Sequence, residues 1–175
     1  MKKLQFILTA SLAVDCFGAA GVLDGVWRSQ GWGLVYQVRG ADWQAFEVTS
    51  TTCVAGTKAK RITSARPGSE ATFQIRRGDV FSIVDDGGSD HKRITTPTGL
   101  TSIAIERIDA LPKACTPPTG DTPSNNLEVF VQTFAEQYIS FDLRHVDWDR
   151  VIVEQRGKVT DRTTPAELFE TLLSG

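Results

Sequence analysis

The chain is 175 residues long, 41% hydrophobic and 23% charged, with a formal charge of −2 at pH 7. That balance describes a soluble globular protein, long enough for one domain or two small ones. It leaves no basic footprint for nucleic acid or an anionic membrane, so neither is expected as a partner.

Residues 1–20 read as an export signal. Lys2 and Lys3 precede an apolar run over residues 4–14 that is too short to span a bilayer, and Gly18, Ala19 and Ala20 supply small residues for cleavage before Gly21. The mature chain is therefore expected in the periplasm or outside the cell, with no membrane insertion once the signal is gone. A buried N-terminal helix is the alternative. Cys16 raises the question of lipid attachment, but Asp15 stands where such a site needs a small residue.

Residues 21–112 change character. The segments 33–39, 43–49, 71–76, 79–84, 91–95 and 101–108 are short and rich in β-branched or aromatic residues, and turns such as Gly40-Ala41-Asp42, Arg77-Gly78 and Asp85-Asp86-Gly87-Gly88 separate several of them. Short strands at that spacing predict an antiparallel sheet that meanders into a barrel or sandwich. Leu34, Tyr36 and Val38 share one face of their strand, as do Phe73 with Ile75 and Ile103 with Ile105, so each strand is expected to bury one side. Weaker strands before Gly31 and over 54–62 bring the number to about eight, enough to close a small barrel.

Asp24-Gly25-Val26-Trp27 looks like the Gly-x-Trp opening of lipocalin-like barrels, in which the Trp plugs the floor. Trp27 is accordingly read as core, with ligand contact by Trp27 or Trp32 as the functional alternative. Cys53 and Cys115 are the pair left after signal removal. Export favours a structural disulfide between them, with two buried free thiols as the alternative.

Residues 113–124 form a linker. Together with Leu111 and Pro112 they read LPKACTPPTGDTPS, whose prolines forbid a continuous helix and favour an extended connection. Residues 125–175 then carry three helix starts. Asn125 with Glu128 makes an Asn-x-x-Glu capping box ahead of a stripe of Leu127, Phe130, Val131, Phe134 and Tyr138. Asp147 caps a second segment ending near Gly157. Thr164, Pro165 and Glu167 start a third, with Leu168, Phe169, Leu172 and Leu173 as its apolar face. A helix that short depends on tertiary packing. If exposed, those four residues are an association patch.

Three clusters in this last segment, at fixed order and spacing, carry a resemblance. Leu127-Glu128-Val129-Phe130 with Gln132-Thr133-Phe134-Ala135-Glu136, then Phe141 with Val146-Asp147-Trp148-Asp149, then Thr163-Thr164-Pro165-Ala166-Glu167-Leu168-Phe169 resemble the small helical domain before the catalytic core of secreted serine peptidases of the tricorn-core and C-terminal-processing type. The β-rich part also resembles the segment found before that domain in some of these peptidases. The likeness implies acyl-enzyme hydrolysis of peptide or protein substrates by a core bearing an Asp-Gly-His-like turn and a distant serine. Neither can be placed on a residue of this sequence, which reads as the non-catalytic front region.

Other constellations are better explained structurally. Asp85-Asp86-Gly87-Gly88-Ser89-Asp90-His91 lacks the alternating ligands and closing Glu of a calcium loop, and it reads as a solvated hairpin turn. His145, Asp147 and Asp149 have metal-ligand chemistry but too few partners, and helix capping accounts for both carboxylates. No Gly-x-Ser-x-Gly elbow, Walker loop, dinucleotide fingerprint or His-Glu-x-x-His helix occurs. No catalytic residue, metal or cofactor is therefore assigned. The expected fold class is α+β: an antiparallel, lipocalin-like β-barrel followed by a small three-helix domain. The rival functions are a stand-alone barrel holding a small apolar ligand and an interaction module using the helical stripe.

Overall fold

In the computed structural model, which describes residues 22–63, 67–138 and 145–174, eight strands follow one another. They are β1 (Gly25–Ser29), β2 (Leu34–Arg39), β3 (Asp42–Val48), β4 (Cys53–Ile62), β5 (Ala71–Ile75), β6 (Val80–Asp85), β7 (His91–Thr95) and β8 (Ser102–Ile108). Each pairs antiparallel with its chain neighbours and β1 also pairs with β8, so the sheet closes into a barrel whose strand order is the chain order. Closure removes the two edges that an open sheet would expose. The barrel, not the sandwich, is the architecture. The export signal read over 1–20, Cys16 and Phe141 lie outside the described residues.

Alternation sets the interior. Trp27 stands opposite Tyr36, Tyr36 opposite Ala45, and Val38 opposite Trp43. Paired residues face the same side, so this register carries the aromatic set inward. Tyr36, Trp43, Phe73 and Phe81 form one ring cluster with centroids 4.8–5.6 Å apart. Phe73, Ile83 and Ile105 are fully buried around it.

One end of the barrel is plugged. Trp27 lies there with 1% of its surface exposed, its indole N–H donating to the Leu23 carbonyl at 2.9 Å. The Arg107 guanidinium stacks 4.3 Å from its ring centroid and donates to the carbonyls of Asp24 and Val22, both at 2.7 Å. A side chain at Gly25, whose φ is +141°, would collide with that guanidinium. Glycine is therefore required there for two reasons, conformation and close approach.

The strands do not all bury a single side. Val26, Val35 and Phe46 point outward, yet they form a second buried cluster with Cys53 and Cys115. The connection after β8 covers them: Lys113–Cys115 is a 3-10 turn, Cys115 is disulfide-bonded to Cys53, and Thr119 exchanges two hydrogen bonds with Cys53. The linker read as an extended connection is thus held on the barrel wall by the bridge.

Among the described residues three helices follow the barrel: α1 (Pro123–Gln137), α2 (Trp148–Arg156) and α3 (Pro165–Leu173). The first cap corrects the sequence reading. Thr122, not Asn125, caps α1, accepting from the Asn125 N–H, with Pro123 at the first helical position where its missing donor is harmless. Glu128 makes no capping box; it clamps Arg156 of α2 through two bonds of 2.7 Å. Asp147 and the Thr164–Glu167 box cap α2 and α3 as the sequence predicts. Leu127, Val131, Ile152, Val159 and Leu168 form the helical core. Phe134 and Tyr138, expected in the buried stripe, are 37% and 42% exposed.

Candidate functional site

The end of the barrel opposite Trp27 is open. Tyr36, Trp43 and Phe81 form the base of a cup of about 370 Å3 there, and Leu34, Ile75, Ile94 and Ile103 form its walls. Glu47 on β3 is its one lining carboxylate, and Thr57 adds a hydroxyl. Mostly apolar concavities of about 300–1,000 Å3 with few polar groups are the usual form of small-molecule sites. Tyr36 has a hydroxyl with no hydrogen-bond partner among the described residues, and its burial pushes the phenol pKa up to about 12. It stays a neutral donor at physiological pH.

A register shift opens the wall beside this cup. The β3–β4 pairing slips between Gln44 and Phe46, where the Gln44 amide donates to the carbonyls of Ala45 and Gly56 at 2.6 and 3.0 Å. β4 then pairs with β5 only from Ala59 to Ile62. The stretch 53–58 consequently has no β5 partner. An open concavity of about 730 Å3 begins at Lys58, where this gap ends, and shares Trp43 and Ile75 with the cup. Lys58, Arg76 and Arg77 stand beside Thr57 and Ile75 at the gap.

The closed end holds a buried cation paired with two carboxylates. Lys92 stands opposite Ile105, which directs it inward, and it is 3% exposed. Burial alone would lower its pKa, but hydrogen bonds to Glu70 at 2.6 Å and Asp85 at 3.0 Å raise it. The Lys92 ammonium in turn holds the Asp85 carboxyl below its ordinary range, helped by the Gly88 N–H. Arg61 lies over the Phe73 ring at 5.4 Å.

The sequence candidates fall in different places. Trp27 is part of the floor and does not line the cup. Trp32 lies in the β1–β2 loop, 62% exposed, at the open end. Cys53 and Cys115 are joined. The Asp85–His91 run is the β6–β7 turn, with Asp85 on Lys92 and Asp86 on Arg93. His145 sits in a turn at φ 53° just before α2. Among the described residues no hydrogen bond joins either histidine to a serine, and no group of three or more His, Cys, Asp or Glu is arranged for a metal.

The helical unit meets the open end. The Glu136 carboxylate accepts from the Ser50 N–H at 2.9 and 3.1 Å and from its hydroxyl at 2.5 Å, fastening the end of α1 to the β3–β4 turn. Gly33, at φ +61°, is where the Gln137 side chain presses on the β1–β2 loop; a Cβ there would collide with it. On the far side, Phe169 and Leu173 of α3 are 59% and 67% exposed, whereas Leu168 is buried and Leu172 half-buried. Only the first two remain available from the predicted association patch.

Residue alternation pointed to the cup's walls, but three determinants left no local signal: the β4–β5 gap, the Arg107 stack and the inward Lys92. The class defined by these features is a closed eight-stranded antiparallel barrel with a helical appendage at its open end. No family model, no curated protein and no solved structure matches the chain.

Proposed function

We propose that this chain forms the non-catalytic N-terminal region of an exported serine peptidase of the tricorn-core and C-terminal-processing type. Peptide hydrolysis through an acyl-enzyme belongs, on this reading, to a catalytic core that packs against the helical unit, and none of its reacting groups is assigned here. One observation carries the proposal: the residue clusters behind the family likeness act together in a single small core. Leu127, Ile152 and Leu168 come from the three clusters or the helices they start, and they pack on one another, while Phe169 and Leu173 stay outside as an apolar edge. Such an edge is suited to a further domain or to a second copy of the chain. The buried Cys53–Cys115 bridge is compatible with export, since disulfides persist in oxidising compartments.

Sequencing the coding region 3′ of codon 175 tests this. An Asp-Gly-His-like turn and a serine-bearing core in frame are expected; an unrelated gene in that position overturns it. The purified chain alone should not react with a serine-directed fluorophosphonate.

A second reading concerns the barrel. Its plugged floor and apolar cup favour a lipocalin-like module that holds a small apolar ligand, either alone or as an accessory to the peptidase. Saturable quenching of tryptophan fluorescence by small apolar compounds is expected, and none with Trp43 intact would overturn it.

A further inference from the structure

We propose that the barrel takes a small amphipathic anion, its apolar body in the cup and its single anionic head in the β4–β5 gap against Lys58, Arg76 and Arg77. This rests on the reading of the cup as a ligand site and adds the chemistry of the ligand.

The charge pattern carries it. Five other barrel cations are paired: Arg28 with Glu106, Lys60 with Asp42, Arg93 with Asp86, Arg107 with Asp90 and Lys92 with two carboxylates; Arg39 and Arg61 stand on the strands without an ion pair among the described residues, but neither lines the cup or the gap. Among the described residues Lys58, Arg76 and Arg77 have no ion-pair partner, and all three are exposed and stand together beside Thr57 and Ile75, which also line the cup. An apolar cavity and a cationic opening therefore share a wall. The carboxylates nearby are Glu47 on the cup, Asp42 on the open concavity, which is paired with Lys60, and Asp79 in the β5–β6 turn, and among the described residues none pairs with the three cations. Glu47 repels an anionic head from the β3 side of the rim and leaves the gap as its place.

The backbone makes room for the head. The missing β5 partner over 53–58 leaves residues 55–58 exposed, and Gly56 presents no side chain. Guanidinium groups such as those of Arg76 and Arg77 match a carboxylate or phosphate in a forked geometry. Because the three are solvent-exposed, each contact is individually modest. Together they should favour an anionic head over a neutral one by about tenfold.

The test uses the oxidised full chain and three ten-carbon probes, decanoate, decanol and decyltrimethylammonium, followed by tryptophan quenching. Decanoate is expected to bind saturably and about tenfold more tightly than decanol, with the advantage shrinking at high salt. The K58Q/R76Q/R77Q variant changes only exposed side chains and should bind decanol as before while losing the decanoate preference. Equal binding of decanoate and decanol overturns the anion assignment and leaves the cup reading standing. No binding of any probe by folded protein, judged by near-UV circular dichroism, overturns both. Tighter displacement of decanoate by an extended apolar peptide than by decyl phosphate overturns the small-molecule assignment.

Discussion

The barrel and the helical unit stabilise themselves by different means. In the barrel, an interior of four interlocked aromatic rings is closed at one end by Trp27 and Arg107, and its outer wall is covered by a linker that the Cys53–Cys115 bridge holds in place. In the helical unit, four buried residues from the three helices and Val159 from the connection before the last share one small core, while well-formed caps and the Glu128–Arg156 clamp fix the helix ends. The barrel is thus held by long-range closure. The helices depend more on local signals plus a core too small to cover Phe169 or Leu173. On the proposed function the barrel is the cup that recognises a ligand, and the helical unit gains stability by docking.

The sharpest way to break this comparison is Trp27→Ala. It removes the floor plug and the ring beneath Arg107, and a loss of about 3–5 kcal/mol is expected from denaturant unfolding. If the units are separable, the near-UV tryptophan signal collapses well before the helical far-UV signal. A single coincident transition would mean that the Glu136–Ser50 fastening makes them one cooperative body.

Reducing the disulfide is expected to come next. The bridge spans 62 residues, and constraining a loop of that length in the unfolded chain contributes about 2–4 kcal/mol. The melting temperature of the barrel should fall under reductant, and an unchanged value would show that the linker holds its place through packing alone. Thr164→Ala acts on the other unit. It deletes the hydroxyl half of the α3 capping box, leaving the Thr164 backbone N–H to donate to Glu167, and should cost about 1 kcal/mol, seen as a lower midpoint for the helical signal with the barrel unaffected.

The last effect is absent at neutral pH and confined to alkaline solution. Burial raises the Tyr36 phenol to about 12, above its ordinary value near 10. The folded state therefore holds this proton more tightly than the unfolded one. Its contribution is complete below about pH 10 and is lost as pH rises through the folded value of about 12. Phenolate absorbance should report a late-titrating tyrosine that disappears in Tyr36→Phe. Two tyrosines titrating together near the ordinary value would mean that water reaches the base of the cup.

Much of this architecture can be read along the chain because its causes are short-range. Period-2 alternation at Leu34, Tyr36 and Val38 depends on residues two apart, and the Thr164–Glu167 box on residues three apart. The α1 cap was legible only in part: Asn125 and Thr122 are both good caps, and Pro123, which belongs at the first helical position, selects Thr122. The outward Val26, Val35 and Phe46 could not be distinguished from an ordinary solvated face without knowing that the linker returns across them.

By itself, then, the sequence determined the strands, their inward faces, two of the three caps and the cysteines that could meet. Tertiary structure alone decided which end is plugged, where β4 parts from β5, and which cations are left without partners. Arg107 reaches the Asp24 carbonyl across 83 residues of chain, and Lys92 finds Glu70 across 22. The first contact exists only once β8 has closed on β1, and the second only once β5, β6 and β7 have paired, so nothing local in the chain can specify them.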